Sequence, residues 1–197
     1  MLYNKQLNEI HTMNTIKPKI KWEDEIGEIN WKLVNLIPFR CLIDTKLRTF
    51  QYKYIMRIIP NNKFLYKCNI NNTSLCDFCS MHVETNKHLF WDCHVTRAFW
   101  TDFHNFLNSK RIMIELSYKN ISFGTNDWSS NTNIINCIII IAKYFIFKTK
   151  YEKNILSFNN FKKYLKYIEN VEHTIAMSKD KYTQHRQKWE NLQLNEN

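Results

Sequence analysis

Glycine and proline are nearly absent, with 2 Gly and 3 Pro among 197 residues. So few glycines argue against phosphate-cradling loops and turn-rich β-sandwiches, because both need residues that tolerate positive φ. Neither a P-loop nor a dinucleotide-binding fingerprint occurs. Apolar residues make up 44% of the chain and aromatic residues 15%, which is ample for a packed core. We therefore expect a folded chain of one domain or two small ones.

The sequence also lacks the signature of a signal peptide or a membrane span. Its first 21 residues are polar, without the apolar stretch that a signal peptide needs. The strongest apolar run, 134–147, is shorter than the roughly 18–20 residues of a bilayer span and is interrupted by Lys143. We expect a buried helix there, no membrane partner, and an intracellular location in the nucleus, the cytoplasm or both. In such a reducing compartment, the six cysteines indicate a metal site more than disulfides.

Acidic residues are missing from one basic segment. The chain carries 28 Lys and Arg against 18 Asp and Glu, a net charge of +10, and residues 46–75 hold six basic residues and no acid. These six are Lys46, Arg48, Lys53, Arg57, Lys63 and Lys67. Aromatic residues interleave with them, so we predict phosphate contacts to RNA and/or DNA, with Tyr52 or Phe78 stacking on a base. The alternative is a solvated helix face whose aromatic side chains lie in the core.

The apolar periodicity predicts a mostly α-helical protein. Asp44 and Thr45 can cap a helix over 46–59, with Leu47, Phe50, Tyr54 and Ile58 on one face, and Pro60 ends it. Further helices are expected over 95–107, 132–150, 157–177 and 179–192. The segments RIMIEL and ISFG, between 111 and 124, form a short β-hairpin or a loop. We divide the chain into a poorly ordered segment 1–20, a basic-helix and zinc-knuckle domain 21–109, and a helical extension 110–197 that packs on it.

Residues 76–93 contain the pattern most directly tied to chemistry. They read CDFCSMHVETNKHLFWDC, which places Cys76, Cys79, His88 and Cys93 in a C-x2-C-x8-H-x4-C arrangement. Three thiolates and one imidazole suit one tetrahedral Zn²⁺. Four protein ligands leave no open coordination position, so the zinc would be structural. Thr85 can cap a short helix that begins at Asn86 and carries His88 in its first turn.

Other assignments of these residues remain open at this point. The thiols could form disulfides or be inert, and His82, His94 or Cys68 could replace one of the four ligands. Cys41 and Cys137 are most simply read as small buried apolar residues.

Catalytic motifs are missing as well. The sequence has no Asp-x-Asp cluster, no paired-carboxylate motif and no Tyr/Phe-x-Asp-Asp polymerase signature. Thiolates bound to a metal are not free to act as nucleophiles. We therefore expect no independent enzymatic activity, no catalytic residues and no small-molecule substrate.

Several short motifs carry a family resemblance. They are a KLRTFQYK helix, a PNNKFLY turn, the Cys-x-x-Cys pair, ETNKHLFWDC and a closing Phe-Trp at 99–100. Together they resemble the zinc-binding region at the C-terminal end of reverse transcriptases from non-LTR (LINE-type) retrotransposons. Cys76, Cys79, His88 and Cys93 fall on that family's ligand positions, and weaker similarity extends over 21–189.

The resemblance implies a parent protein with endonuclease and polymerase parts, in which this domain helps to hold template RNA and target DNA. Neither catalytic part occurs in this sequence. We therefore expect a retrotransposon fragment or a retained host domain, non-catalytic and nucleic-acid-binding, which also contacts the upstream reverse transcriptase domains. The alternative is a structural or protein-interaction zinc module without nucleic-acid binding.

Overall fold

A computed structural model describes residues 16–125, 130–192 and 194 and shows a helical protein. Its α-helices are α1 (16–26), α2 (Trp31–Cys41), α3 (Thr45–Ile55), α4 (Asn62–Lys67), α5 (His94–Ser109), α6 (Tyr118–Phe123), α7 (Ser130–Tyr151), α8 (Phe158–Ser178) and α9 (Tyr182–Trp189). A π-helical turn covers His88–Asp92, and a 3-10 turn covers Glu190–Leu192. The described part has no β-strand, only one isolated antiparallel bridge between Leu75 and Val83. The predicted mostly α-helical class is confirmed.

Helix α7 lies at the centre of the fold. Helices α2, α3, α8 and α9 all pack against it, and every side chain from Ile134 to Ile146 is buried. Its Thr132–Tyr151 portion is long and apolar enough to cross a membrane, but 83% of its most apolar stretch is buried among the other helices. A helix that is apolar on all sides is expected at the centre of a bundle. The buried helix predicted from the apolar run is thus confirmed.

Helix α3 begins where the sequence predicts and ends earlier. The Asp44 carboxylate accepts a hydrogen bond from the Lys46 N–H at 2.7 Å, as expected of an N-cap. The helix ends at Ile55, before the predicted end at residue 59, because Arg57 adopts a left-handed conformation (φ 56°). The Ile58 N–H then bonds the Lys53 carbonyl at 3.0 Å, the pattern of a Schellman C-cap. Ile58 is consequently exposed, contrary to the predicted helix face.

The β-hairpin between 111 and 124 does not form. Residues 112–117 have no regular secondary structure, and the ISF of the second segment lies in α6. Ser117 caps α6 by accepting the Asn120 N–H at 3.2 Å, and Gly124, at φ 82°, ends it. Phe123 packs edge-to-face on Trp22, with ring centroids 5.0 Å apart. The second β-leaning segment therefore lies in a short helix, which is stabilised by its caps and by core packing.

The remaining predicted helices are observed as α5, α7, α8 and α9, and their observed ends lie within one to three residues of the predicted ends. Helices α1, α2, α4 and α6 were not predicted. The buried apolar core extends from Trp22 to Leu192 without a break between the two proposed domains. The domain division itself stays a prediction; residues 16–20 belong to α1, and residues 1–15 lie outside the described part.

Helix α7 also carries a fully buried lysine. The Lys143 ammonium donates to Gln51 Oε1 at 2.7 Å and to the Ser122 carbonyl at 3.0 Å, and lies 4.2 Å from the Tyr54 ring centroid. Burial holds the pKa of Lys143 well below its usual value of 10.5. This polar group therefore links α3, α6 and α7 inside an otherwise apolar core.

Candidate metal centre and basic surface

The four predicted ligands converge on one point. One ligand atom from each of Cys76, Cys79, His88 and Cys93 lies within 4.8 Å of every other. The Cys76 and Cys93 Sγ atoms are 4.0 Å apart, and Cys79 Sγ is 3.3 Å from His88 Nε2. A tetrahedron with arms of about 2.0–2.3 Å has edges of roughly 3.3–3.8 Å. The donor set and its spacing therefore fit one zinc ion.

The Cys76–Cys79 half of the site is a tight knuckle. The Ser80 N–H donates to the Cys76 carbonyl at 2.8 Å, and Ser80 adopts φ 54° to reverse the chain. The Cys76 N–H donates to the His82 carbonyl at 2.9 Å, beside the bridge between Leu75 and Val83. These backbone bonds turn both thiols toward the same point.

The other two ligands lie on a short helical segment that Thr85 caps. The Thr85 hydroxyl accepts the His88 N–H at 3.0 Å, which confirms the predicted cap. The segment then widens into a π-turn, in which the Cys93 N–H bonds the His88 carbonyl at 2.9 Å. On an ordinary α-helix two residues five positions apart would point about 140° away from each other. The π-turn, which the sequence did not reveal, brings His88 and Cys93 to one side.

The electrostatic environment prepares one thiol for metal binding. Burial raises the pKa of Cys79, but hydrogen bonds from the backbone N–H groups of Met81 and His82 and from the His88 and His82 side chains outweigh burial and lower the pKa to about 5. The lowered pKa favours the thiolate, the form that binds zinc. Burial raises the pKa of Cys76, so zinc binding there must displace a proton.

The alternative ligands do not join the cluster. The His82 ring lies tilted, with its centroid 5.5 Å from that of the His88 ring, and is not part of the four-residue group. Cys68 and His94 are exposed and equally outside the group. Cys41 and Cys137 are buried free thiols of the helical core, and among the described residues no other His, Cys, Asp and Glu cluster could hold a metal.

A buried ion pair joins the knuckle to the central helix. Glu84 is completely buried, and its Oε1 lies 2.5 Å from the ammonium of Lys150 on α7, which is 7% exposed. The same carboxylate accepts the N–H of Asn62 at 2.8 Å and, more weakly, that of Asp77 at 3.4 Å. Sequence reasoning missed this pair because the partners are 66 positions apart, although Glu84 stands in the conspicuous ETNKH segment.

Helix α4 is held to the knuckle by hydrogen bonds around Glu84. Asn62 donates through Nδ2 to the Leu75 carbonyl at 2.8 Å, and the Lys63 N–H donates to the Glu84 carbonyl at 3.2 Å. Asn61 donates to the Asn86 side chain at 2.9 Å. The position of α4, and of the lysines it carries, therefore depends on the knuckle.

Two of the six predicted basic residues are held by contacts inside the protein. Arg48 donates to the Leu42 carbonyl and lies over the Phe39 ring at 5.3 Å. Arg57 pairs with Glu25 and stacks 3.8 Å above the Trp22 ring. Both guanidinium groups thus stabilise helix packing, and their predicted phosphate contacts remain untested.

The four lysines of the segment are all exposed. Lys46 lies 5.3 Å from the Tyr144 ring centroid, while Lys53, Lys63 and Lys67 have no ion-pair partner within the described ranges. Exposed aromatic side chains alternate with them: Tyr52, Phe64 and Tyr66. Phe78, the other predicted stacking residue, packs partly buried against the core.

Fold and site together define a class: a helical protein in which a Cys3His zinc knuckle positions a lysine-bearing surface. Residues 10–100 match the family described as zinc-binding in reverse transcriptase, and the chain is similar to that family over this segment. The match includes all four ligands and the whole basic segment. A search of curated proteins gave no match. The family resemblance and the zinc site are thus confirmed, while the LINE-type origin stays a prediction.

Proposed function

We propose that this protein is a non-catalytic accessory domain that binds single-stranded RNA or DNA. The observation that carries the proposal is a set of exposed side chains in one segment, namely the four lysines Lys46, Lys53, Lys63 and Lys67 with Tyr52, Phe64 and Tyr66 between them in sequence. We call it the lysine surface. Cationic side chains bind phosphates and exposed aromatic rings stack on unpaired bases, so the surface offers both kinds of contact.

The zinc ion would act on binding indirectly, by holding the protein in shape. Zinc fixes the knuckle, the knuckle fixes α4 through Asn62 and Lys63, and α4 presents Lys67. With four protein ligands the ion has no open position for substrate or water. Zinc therefore supplies rigidity, and the lysines supply attraction for the nucleic acid.

Salt dependence tests the phosphate contacts. Binding of a labelled single-stranded oligonucleotide, followed by fluorescence anisotropy, should weaken with salt at a log–log slope of about −0.7 per phosphate contact. The variant Lys63→Gln/Lys67→Gln should make that slope shallower by about 1.4, because two contacts are lost.

The matched control is Lys162→Gln/Lys163→Gln on α8, which removes the same net charge from two exposed lysines elsewhere. We expect it to leave the slope nearly unchanged. Equal effects of the two double variants would mean that only net charge matters, and a slope near zero in the wild type would exclude phosphate binding.

A structural or protein-interaction role is the rival function, favoured by exposed apolar side chains near the knuckle such as Ile70 and Met81. In that case Lys63→Gln/Lys67→Gln would have no effect on partner binding. In the parent protein, we propose that the domain works beside the reverse transcriptase domains, with RNA and target DNA as its ligands. The corresponding location is intracellular, in the nucleus, the cytoplasm or both.

A further inference from the structure

A groove of about 570 Å³ lies between α1, α2 and α3, beside the lysine surface. Its volume is within the range of small-ligand sites. Its lining includes Lys19, Val34, Pro38, Phe39, Arg48 and Tyr52. The lining is therefore mostly apolar and includes two cationic side chains, those of Lys19 and Arg48.

Two aromatic side chains are open in this groove. Phe39 of α2 is 67% exposed and Tyr52 of α3 is 52% exposed. Burying either aromatic ring would stabilise the protein, so their exposure is unusual. Exposed rings that line a groove offer flat faces for stacking. The Arg48 guanidinium, 5.3 Å from the Phe39 ring centroid, adds a cationic planar group to the same wall.

The charge around the groove selects its occupant. None of the lining residues is acidic, and Lys19 and Arg48 are both cationic. On α3, Lys53 and Lys46 lie about 100° and 120° around the helix from Tyr52, on the exposed side. A ligand that is flat and apolar, and is joined to negative charge, matches both properties. A nucleobase attached to its phosphates is such a ligand, whereas an apolar protein segment would bring no negative charge to the two cations.

We propose that this groove holds one unpaired nucleobase of a bound single strand, with Phe39 and Tyr52 as its stacking residues and Lys53 on the adjacent phosphate. The proposal rests on the proposed function and adds a base site to it. A paired base cannot enter, because its faces are already stacked inside the duplex. The groove therefore makes the protein prefer single strands that carry bases.

An abasic strand separates base stacking from phosphate binding. Anisotropy titrations would compare a mixed-sequence single-stranded oligonucleotide with an abasic strand of the same length and charge. We expect the wild type to bind the base-bearing strand about tenfold more tightly, since stacking of one base on an aromatic side chain contributes on that order. The variant Phe39→Ala/Tyr52→Ala should lose most of this preference and keep the salt slope. Because both rings are more than half exposed, its circular dichroism and Tm should match the wild type.

The control variant is Tyr167→Ala, which removes an aromatic ring that is 60% exposed on α8 and should keep the preference. Salt-dependent binding without any preference for the base-bearing strand would overturn the groove proposal alone. A preference retained in Phe39→Ala/Tyr52→Ala would place stacking elsewhere and would also overturn it. Absence of salt-dependent binding to either strand would overturn the proposed function itself.

Discussion

Different forces stabilise the zinc knuckle and the central helix α7. Across residues 63–87 only Cys76 and Glu84 are buried, whereas almost every described side chain of α7 is buried. The knuckle region has too little apolar burial to offset the conformational entropy of about 25 ordered residues. Its shape must therefore come from the metal and from hydrogen bonds. The region around α7 is stabilised by apolar burial and has no need of a metal.

This contrast explains why a small metal site appears in a chain that already has a large core. Under the proposed function the lysines of α4 must be exposed to meet phosphates, and residues 63–75 around them bury no apolar side chain. Metal ligation supplies order without burial, as it does in other small zinc domains. Under the proposed function, the exposed lysines and the zinc site thus follow from one requirement.

The largest expected effect is on the knuckle when the metal is removed. A strong chelator should abolish the hydrogen-exchange protection of amides in 74–87, since structural zinc contributes on the order of 10 kcal/mol in comparable small sites. Amides of α7 should stay protected, because their helix is stabilised by burial. Peptide-resolved hydrogen exchange with and without chelator measures both regions together.

The Cys68→Ser variant, which changes a free exposed thiol, is the control and should behave as the wild type does. Equal loss of protection in both regions would mean that metal and core form one cooperative unit. Unchanged protection of the knuckle would mean that metal is not what orders it.

A large but smaller effect is expected at the contact between the two regions. Lys150→Met removes the cation that neutralises the fully buried Glu84, and an unpaired buried carboxylate costs about 3–5 kcal/mol. Denaturant unfolding should show that loss. Lys148→Met, which breaks a surface pair with Glu152, should cost no more than about 1 kcal/mol. Comparable costs for the two variants would contradict the assigned role of the buried pair.

The smallest effect concerns the buried Lys143 in the helical core. In the folded protein the pKa of Lys143 lies well below 10.5, the ordinary value expected in the unfolded chain. At a pH between the folded and the unfolded pKa, the unfolded chain therefore binds more protons than the folded protein. The Lys143 contribution therefore makes the free energy of unfolding rise as the pH is raised toward 10.5. In Lys143→Met this part of the pH dependence should disappear, as measured by denaturant unfolding across mildly alkaline pH. Identical pH profiles for variant and wild type would show that burial does not lower the pKa of Lys143.

The sequence was most informative where one pattern had one physical cause. The ligand spacing predicted the metal group, and apolar periodicity predicted α5, α7 and α8. The sequence did not predict where α3 ends, because Arg57 adopts a left-handed conformation that is usually found at glycine. Here the contacts of its side chain with Trp22 and Glu25 stabilise that position.

Long-range polar contacts were the other feature that one sequence could not reveal. Nothing in the local pattern around Lys150 indicates that it pairs with Glu84, or that Lys143 bonds Gln51. The β-hairpin failed for a similar reason: β-branched residues favour strands only where a partner strand is available. In this fold Ile112 and Ile121 are instead buried in the core, and Phe123 contacts Trp22.

The most direct test of the account is the zinc content of the purified protein, determined by mass spectrometry under native conditions beside Cys79→Ser and Cys68→Ser. We predict one zinc per chain in the wild type and in Cys68→Ser, and none in Cys79→Ser. The Cys79→Ser chain should also lose hydrogen-exchange protection across 74–87. A metal-free wild type with a fully protected knuckle would contradict the claim that zinc orders the surface that carries the lysines.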